Sequence, residues 1–254
     1  MKILQTSNYD MFELIKSNRP INPTKIDKMR ERIKNKNLTS GYNIIVNSKK
    51  AGKERYGTDG TKYPIVDGQH RYVSCQLEGQ KFFYQINDDI TLDDIPTAAS
   101  LQHSWKITDY LHHYTTIGLH EYKMFVGYMN RYGFPPSAAL IVLCGDRSIA
   151  TLHDLKRGEL KIKRSWALAN NFGDATDSLD KYISFNKQAR FVEAFFVAFT
   201  NDNYNHDRMM AKLEYLSSKM LRCSDTRAHL EQIDYIYNYN STDRVKLNTM
   251  RGEL

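Results

Sequence analysis

Five consecutive residues, Asp67-Gly68-Gln69-His70-Arg71, bring together the side chains and backbone needed to hold negative charge. They stand between the apolar run Tyr63-Pro-Ile-Val66 and Tyr72-Val73, which predicts a strand, a tight turn and the opening of a helix. Glycine at the turn lets backbone approach a ligand, and the amides that open a helix point toward negative charge. His70 and Arg71 can both donate to phosphoryl oxygens, Arg71 through its planar fork. Asp67 can orient one of them or a metal-bound water. The expected ligand is therefore a phosphate, and the plain alternative is an ordinary β-turn with a surface arginine.

The elements that must position this turn are legible on both sides. Upstream, Asn18-Arg19-Pro20-Ile21-Asn22 precedes a helix over Thr24 to Lys34, with Ile26, Met29 and Ile33 at helical spacing behind a Thr24 cap. A strand is predicted over Asn43 to Asn47, then a polar hairpin over Ser48 to Lys62 that returns the chain to Tyr63. Downstream, Tyr72 to Glu78 reads as a helix closed by Gly79, and Lys81 to Ile86 as a further strand.

That order, with Asp67-Gly68-Gln69-His70-Arg71 inside it, resembles the N-terminal domain of the ParB and sulfiredoxin superfamily over about residues 17 to 90. The resemblance is particularly to the branch carrying Asp-Gly-Gln-His-Arg, as in DndB-type and many phage-encoded proteins. Its glycine-led box is Gly-Glu-Arg-Arg in ParB and Gly-Cys-His-Arg in sulfiredoxin, and it holds the phosphates of a nucleotide. The resemblance implies that role for Gly68, Gln69, His70 and Arg71 here, and Asn18-Arg19-Pro20-Ile21 looks like the first box of the family, whose arginine lies near the same site.

Two departures bear on activity. Sulfiredoxin needs a cysteine thiolate where this chain has Gln69, so reductase chemistry is not expected, and Cys75 reads as a small buried side chain. ParB proteins that hydrolyse CTP carry a Glu-Asn-x-x-Arg segment after this domain. The corresponding stretch Leu101-Gln-His-Ser-Trp-Lys-Ile107 has neither that Glu nor that Arg, which argues against hydrolysis.

Whole-chain properties narrow the class. The 254 residues carry 36 Lys and Arg against 29 Asp and Glu, a net charge of +7, which favours a polyanionic partner. Three scattered cysteines support neither a disulfide framework nor a zinc ribbon and suit a reducing cytoplasm. No export signal is read in the polar stretch Met1 to Phe12, and no apolar run approaches the about 20 residues that span a bilayer.

Beyond Asp88 the pattern turns helical. Thr91 to Pro96 reads as a capped short turn, and Trp105 to Gly118 as a helix with Ile107, Tyr110, Leu111 and Tyr114 on one face. His112 and His113 point in different directions on that helix and no third ligand is placed, so a metal is not expected. Leu119 to Tyr132 forms a second helix ended by Gly133, and a short helix over Ser137 to Gly145 with a Ser137 cap comes next. This unit resembles the helix-turn-helix that succeeds the N-terminal domain in ParB, and a plain helical hairpin is the alternative. Ala138 to Leu143 is too apolar for a DNA groove, so a reading face would come from Arg147, Ser148 and the residues C-terminal to them. The basic run Leu155 to Arg164 places Lys156, Arg157, Lys161, Lys163 and Arg164 where they could grip phosphates, unless they form a solvated face. Three further helices are predicted over Asn186 to Phe199, His206 to Leu221 and Ser224 to Tyr239, with Tyr235, Tyr237 and Tyr239 as core.

The sequence thus reads as an α+β protein: a small mixed ParB/sulfiredoxin-like domain over 1–90, a helical region with a candidate helix-turn-helix over 91–165, and a helical region over 166–254. The resemblance implies a DNA-binding protein of a phage or mobile element, working in the cytoplasm of a bacterial host, with a nucleotide- or phosphate-binding pocket formed by Arg19 and Asp67 to Arg71. DNA, a nucleoside triphosphate with Mg and a second copy of the chain are its expected partners. The competing reading is a nucleotide-dependent kinase or nuclease that uses the same pocket, with Asp67 and Glu78 as the only nearby acids that could serve as base.

Overall fold

Asn22 opens the helix that fronts the predicted turn: its side chain accepts the Lys25 amide at 3.1 Å, and Pro23, which has no amide to satisfy, is the first helical residue. Thr24 therefore lies inside α1 (Pro23–Asn35) and does not cap it. The computed structural model describes residues 2–37, 39–48, 61–90, 92–100 and 105–247. These residues contain eleven helices and one five-stranded sheet. They fall into two compact units, Met1–Lys123 and Met124–Leu254. The division between these units falls between 123 and 124.

In the first unit the strands β1 (Ile3–Thr6), β2 (Phe12–Leu14), β3 (Ile44–Val46), β4 (Tyr63–Asp67) and β5 (Phe82–Ile86) lie in the order β1-β5-β3-β4-β2. β3 is antiparallel to β4 and parallel to β5, while β1 runs antiparallel to β5 and β2 parallel to β4. Pro64 is tolerated inside β4 because the β3 ladder reaches only to the pair Val46 and Ile65, and the Asn47 amide donates to the Pro64 carbonyl. Between Asp67 and β5 the chain forms α2 (Gln69–Leu77), which packs on α1. The core joins Phe12, Ile33, Ile44, Val46, Ile65, Tyr72, Cys75 and Phe82, with the Phe12 ring 5.2 Å from Phe82 and 4.9 Å from Tyr84. The α3 (Ile95–Ser100) and α4 (Ile107–Thr116) helices complete the unit up to the start of α5 (His120–Tyr132).

Strands β1 and β2 are absent from the sequence-based expectation. Both are edge strands of three or four residues with mixed burial, too short for a period-two pattern to stand out. The predicted hairpin falls mostly on residues 49–60, and Thr91 and residues 101–104, the latter including most of the stretch set against Glu-Asn-x-x-Arg, also lie outside the described residues.

The second unit holds the rest of α5, α6 (Pro136–Cys144), α7 (Ile149–Arg157), α8 (Trp166–Ser178), α9 (Ala189–Phe199), α10 (His206–Leu216) and α11 (Thr226–Asn238). α6 is buried along Ala138 to Cys144, as its apolar sequence requires, but Ser137 lies within the helix and the cap position is Pro135. Phe172 of α8 meets Phe195, Phe196 and Phe199 of α9 at ring distances of 4.9 to 5.4 Å. Gly173 lets Tyr132 approach so closely that a Cβ there would sit 2.6 Å from the ring. Tyr237 is buried as expected, whereas Tyr235 is exposed. Among the described residues no helix is long and apolar enough to cross a membrane.

Candidate phosphate-binding cleft

The turn after β4 has the geometry that its residue types require. Gly68 stands at φ +89° as the residue before α2, and the Tyr72 amide closes on its carbonyl at 2.9 Å. A Cβ on Gly68 would lie 2.9 Å from Nη2 of Arg71 and 3.1 Å from Cγ1 of Ile44, so the guanidinium lies directly against the glycine. Arg71 Nη2 donates to Asp67 Oδ2 at 2.9 Å, one helical turn back, and both side chains are about five-sixths buried, at 16% and 15% exposed. Asp67 therefore orients Arg71.

The segment carrying Arg19 is fastened to this turn by its main chain. Asn18 Nδ2 donates to the Val66 carbonyl at 3.3 Å and its Oδ1 accepts the Arg19 amide at 2.8 Å. Gln69, itself buried, donates from Nε2 to the Arg19 carbonyl at 2.6 Å. His112 Nε2 and His113 Nδ1 lie 2.9 and 3.0 Å from the carbonyls of Lys16 and Ser17, so the paired histidines of α4 hold the approach to this segment.

His70 differs from expectation. Its Nε2 accepts the Asn22 amide at 3.0 Å, which ties the start of α1 to α2 and places the proton of the neutral ring on Nδ1. Nε2 is thus closed as a donor to phosphate. The ring is 7% exposed, and burial, with Arg19 and Lys25 nearby, holds its pKa down to about 4 against the opposing pull of Asp67. The imidazole is neutral at pH 7 and works as a brace.

Around the turn opens a cleft of about 270 Å³ in which Arg19, the whole run Asp67 to Arg71 and one face of α1 meet. Lys25, Lys28 and Arg32 line it from α1, and none of the three is among the site residues expected from the sequence. Their spacing of three and then four residues was the available signal, since it puts them on one helical face. Five cations thus face a single carboxylate, Asp67, which Arg71 already engages. Glu78, the other acid considered as a base, is paired with Arg30 and Lys34, the latter at 3.2 Å, and does not line the cleft. Cys75 is fully buried and burial pushes its thiol up to about 11, which leaves it in its protonated, unreactive form.

In the second unit the residues expected to touch DNA are not all presented alike. Ser148 caps α7 by accepting the Thr151 amide at 3.2 Å, and Arg147 pairs with Glu193 at 3.3 Å. Arg157 is held by Asp154 at 3.0 Å and Glu159 at 2.9 Å. Arg164 lies 3.9 Å over the Phe196 ring, where the guanidinium packs as a cation on an aromatic face. Lys156, Lys161 and Lys163 are exposed. Sequence reasoning also missed Ile149 and His153, which are exposed on α7. Compared with models of known protein families and with curated proteins, the chain matches none.

Proposed function

We propose that this chain is a DNA-binding protein of the ParB-like kind, encoded by a phage or mobile element, whose N-terminal unit holds a phosphate-bearing ligand in the cleft at Asp67 to Arg71. The observation that carries the reading is the convergence of Arg19, Lys25, Lys28, Arg32 and Arg71 on a glycine turn at a helix start. Three separate segments supply those cations, which a surface arginine on an ordinary turn does not explain. The ligand is a nucleotide, with or without Mg, by resemblance to the superfamily. Binding is favoured over kinase or nuclease chemistry because Asp67, the one acid lining the cleft among the described residues, is engaged by Arg71.

The DNA arm of the proposal rests on α5, α6 and α7 as a helix-turn-helix with buried α6 as its support, and on the exposed Lys156, Lys161 and Lys163 beside it. Of the other residues in this arm, Ser148 caps α7 and Arg164 lies over the Phe196 ring. If each lysine neutralises one phosphate, log affinity falls with log salt by about 0.9 per contact. Reversing Lys161 and Lys163 to Glu together is then expected to flatten the slope by about two units in a fluorescence-anisotropy titration of labelled duplex. Undetectable binding at low salt, or a slope indifferent to the reversals, would move the reading to the enzyme alternative.

A further inference from the structure

The lining of the cleft divides by what its groups are free to meet. Among the described residues the ion pairs of the first unit involve Arg30, Lys34 and Arg71, and none involves Arg19, Lys25, Lys28 or Arg32. Part of the capacity to read a base edge is already engaged: Gln69 Nε2 by the Arg19 carbonyl, Asp67 Oδ2 by Arg71 and His70 Nε2 by the Asn22 amide. Met29 is the one large apolar side chain in the described lining, and no Phe, Tyr or Trp is there for a base to stack on.

Size and charge agree with that division. Pockets that enclose a whole small molecule run from about 300 to 1,000 Å³. At about 270 Å³ this one lies at the small end of that range, enough for a chain of phosphates. Five cations against one carboxylate leave a formal surplus of four positive charges, comparable with the negative charge of a triphosphate.

We infer that the cleft is a receptor for the triphosphate chain itself, blind to the base, taking nucleoside triphosphates of every base and free inorganic tripolyphosphate alike. This rests on the proposal that the cleft binds phosphate. It adds that phosphate number sets affinity and base identity does not.

The test is isothermal calorimetry of the full chain at fixed ionic strength with ATP, CTP, GTP, UTP, tripolyphosphate, pyrophosphate and orthophosphate. The four nucleotides are expected to agree within about threefold, with about a tenfold loss for each phosphate removed from the inorganic series, in line with the loss of one charge-assisted contact. Tripolyphosphate equal to the nucleotides supports a chain read wherever it is attached, and tripolyphosphate tighter than all four supports it with the free chain as ligand. The Lys28→Ala, Arg32→Ala double variant, altered on the exposed face of α1, should lose the preference for three phosphates over two. One nucleotide binding about tenfold better than the other three, nucleotides all about tenfold better than tripolyphosphate, or no dependence on phosphate number would each overturn the inference while leaving a phosphate cleft standing. Silence from every ligand would remove both.

Discussion

Replacing Arg71 with alanine is expected to weaken binding of a triphosphate ligand by about 1.5 to 3 kcal/mol, roughly ten- to a hundredfold, with the fold intact. The guanidinium is held by Asp67 at 2.9 Å and lies against Gly68, so it is oriented before any ligand arrives. Its removal takes away the fork and also frees the Asp67 carboxylate beside the incoming anion. Arg71→Lys should recover only part of the loss, because an ammonium keeps the charge but not the planar pair of donors. Gly68→Ala should reproduce the binding defect by another route. Its Cβ would displace the guanidinium tip, and an alanine at φ +89° adds a folding cost of about 1 to 2 kcal/mol. Calorimetry and thermal unfolding on the same samples separate the two effects. Equal affinity for the native chain and Arg71→Ala would contradict the account.

Acidification is expected to destabilise the first unit through His70 by a few kcal/mol. The folded pKa is about 4 against an ordinary 6.5, so the unfolded chain binds the extra proton first as pH falls. The stabilisation is complete above about pH 6.5 and is lost progressively as pH falls toward 4. Burial is the main cause, and a protonated ring would also lose the Asn22 amide and face Arg19 and Lys25. His70→Gln keeps an acceptor without titrating, so urea unfolding from pH 8 to pH 4 should give the variant a flatter acid limb. Burial also lowers His206 and His229, but both are common to the two proteins and cancel in the difference. Parallel acid limbs would show that His70 is not the brace described.

The stretch from Tyr63 to Ile86 was legible because each of its signals is local. An apolar run, a glycine that must take positive φ and a second apolar run dictate a strand, a turn and a helix whatever surrounds them. What the sequence hid depends on partners distant along the chain. The imidazole of His70 could donate to phosphate from either nitrogen until Asn22, 48 residues earlier, occupies Nε2 and leaves Nδ1 as the ring's donor. Arg164 reads as one more cation in a basic run until Phe196 lies under it. Lys25, Lys28 and Arg32 were visible at helical spacing, but the sequence pattern of α1 is dominated by its buried face of Ile26 and Ile33, and only the cleft shows that the opposite face has a use. The cap fell on Asn22 rather than Thr24 because Pro23 favours the first helical position, a local rule that outweighs the threonine beside it.

The central claim is that phosphate meets the amides and cations of the glycine turn. An amide-resolved NMR titration of the chain with ATP reads those atoms individually. The account predicts that Gly68, Gln69, His70 and Arg71 shift first and saturably, together with Lys25 and Lys28 of α1, and that Arg71→Ala removes the response at the same ligand concentration. Saturable shifts confined to the second unit, or an unchanged pattern in Arg71→Ala, would contradict it.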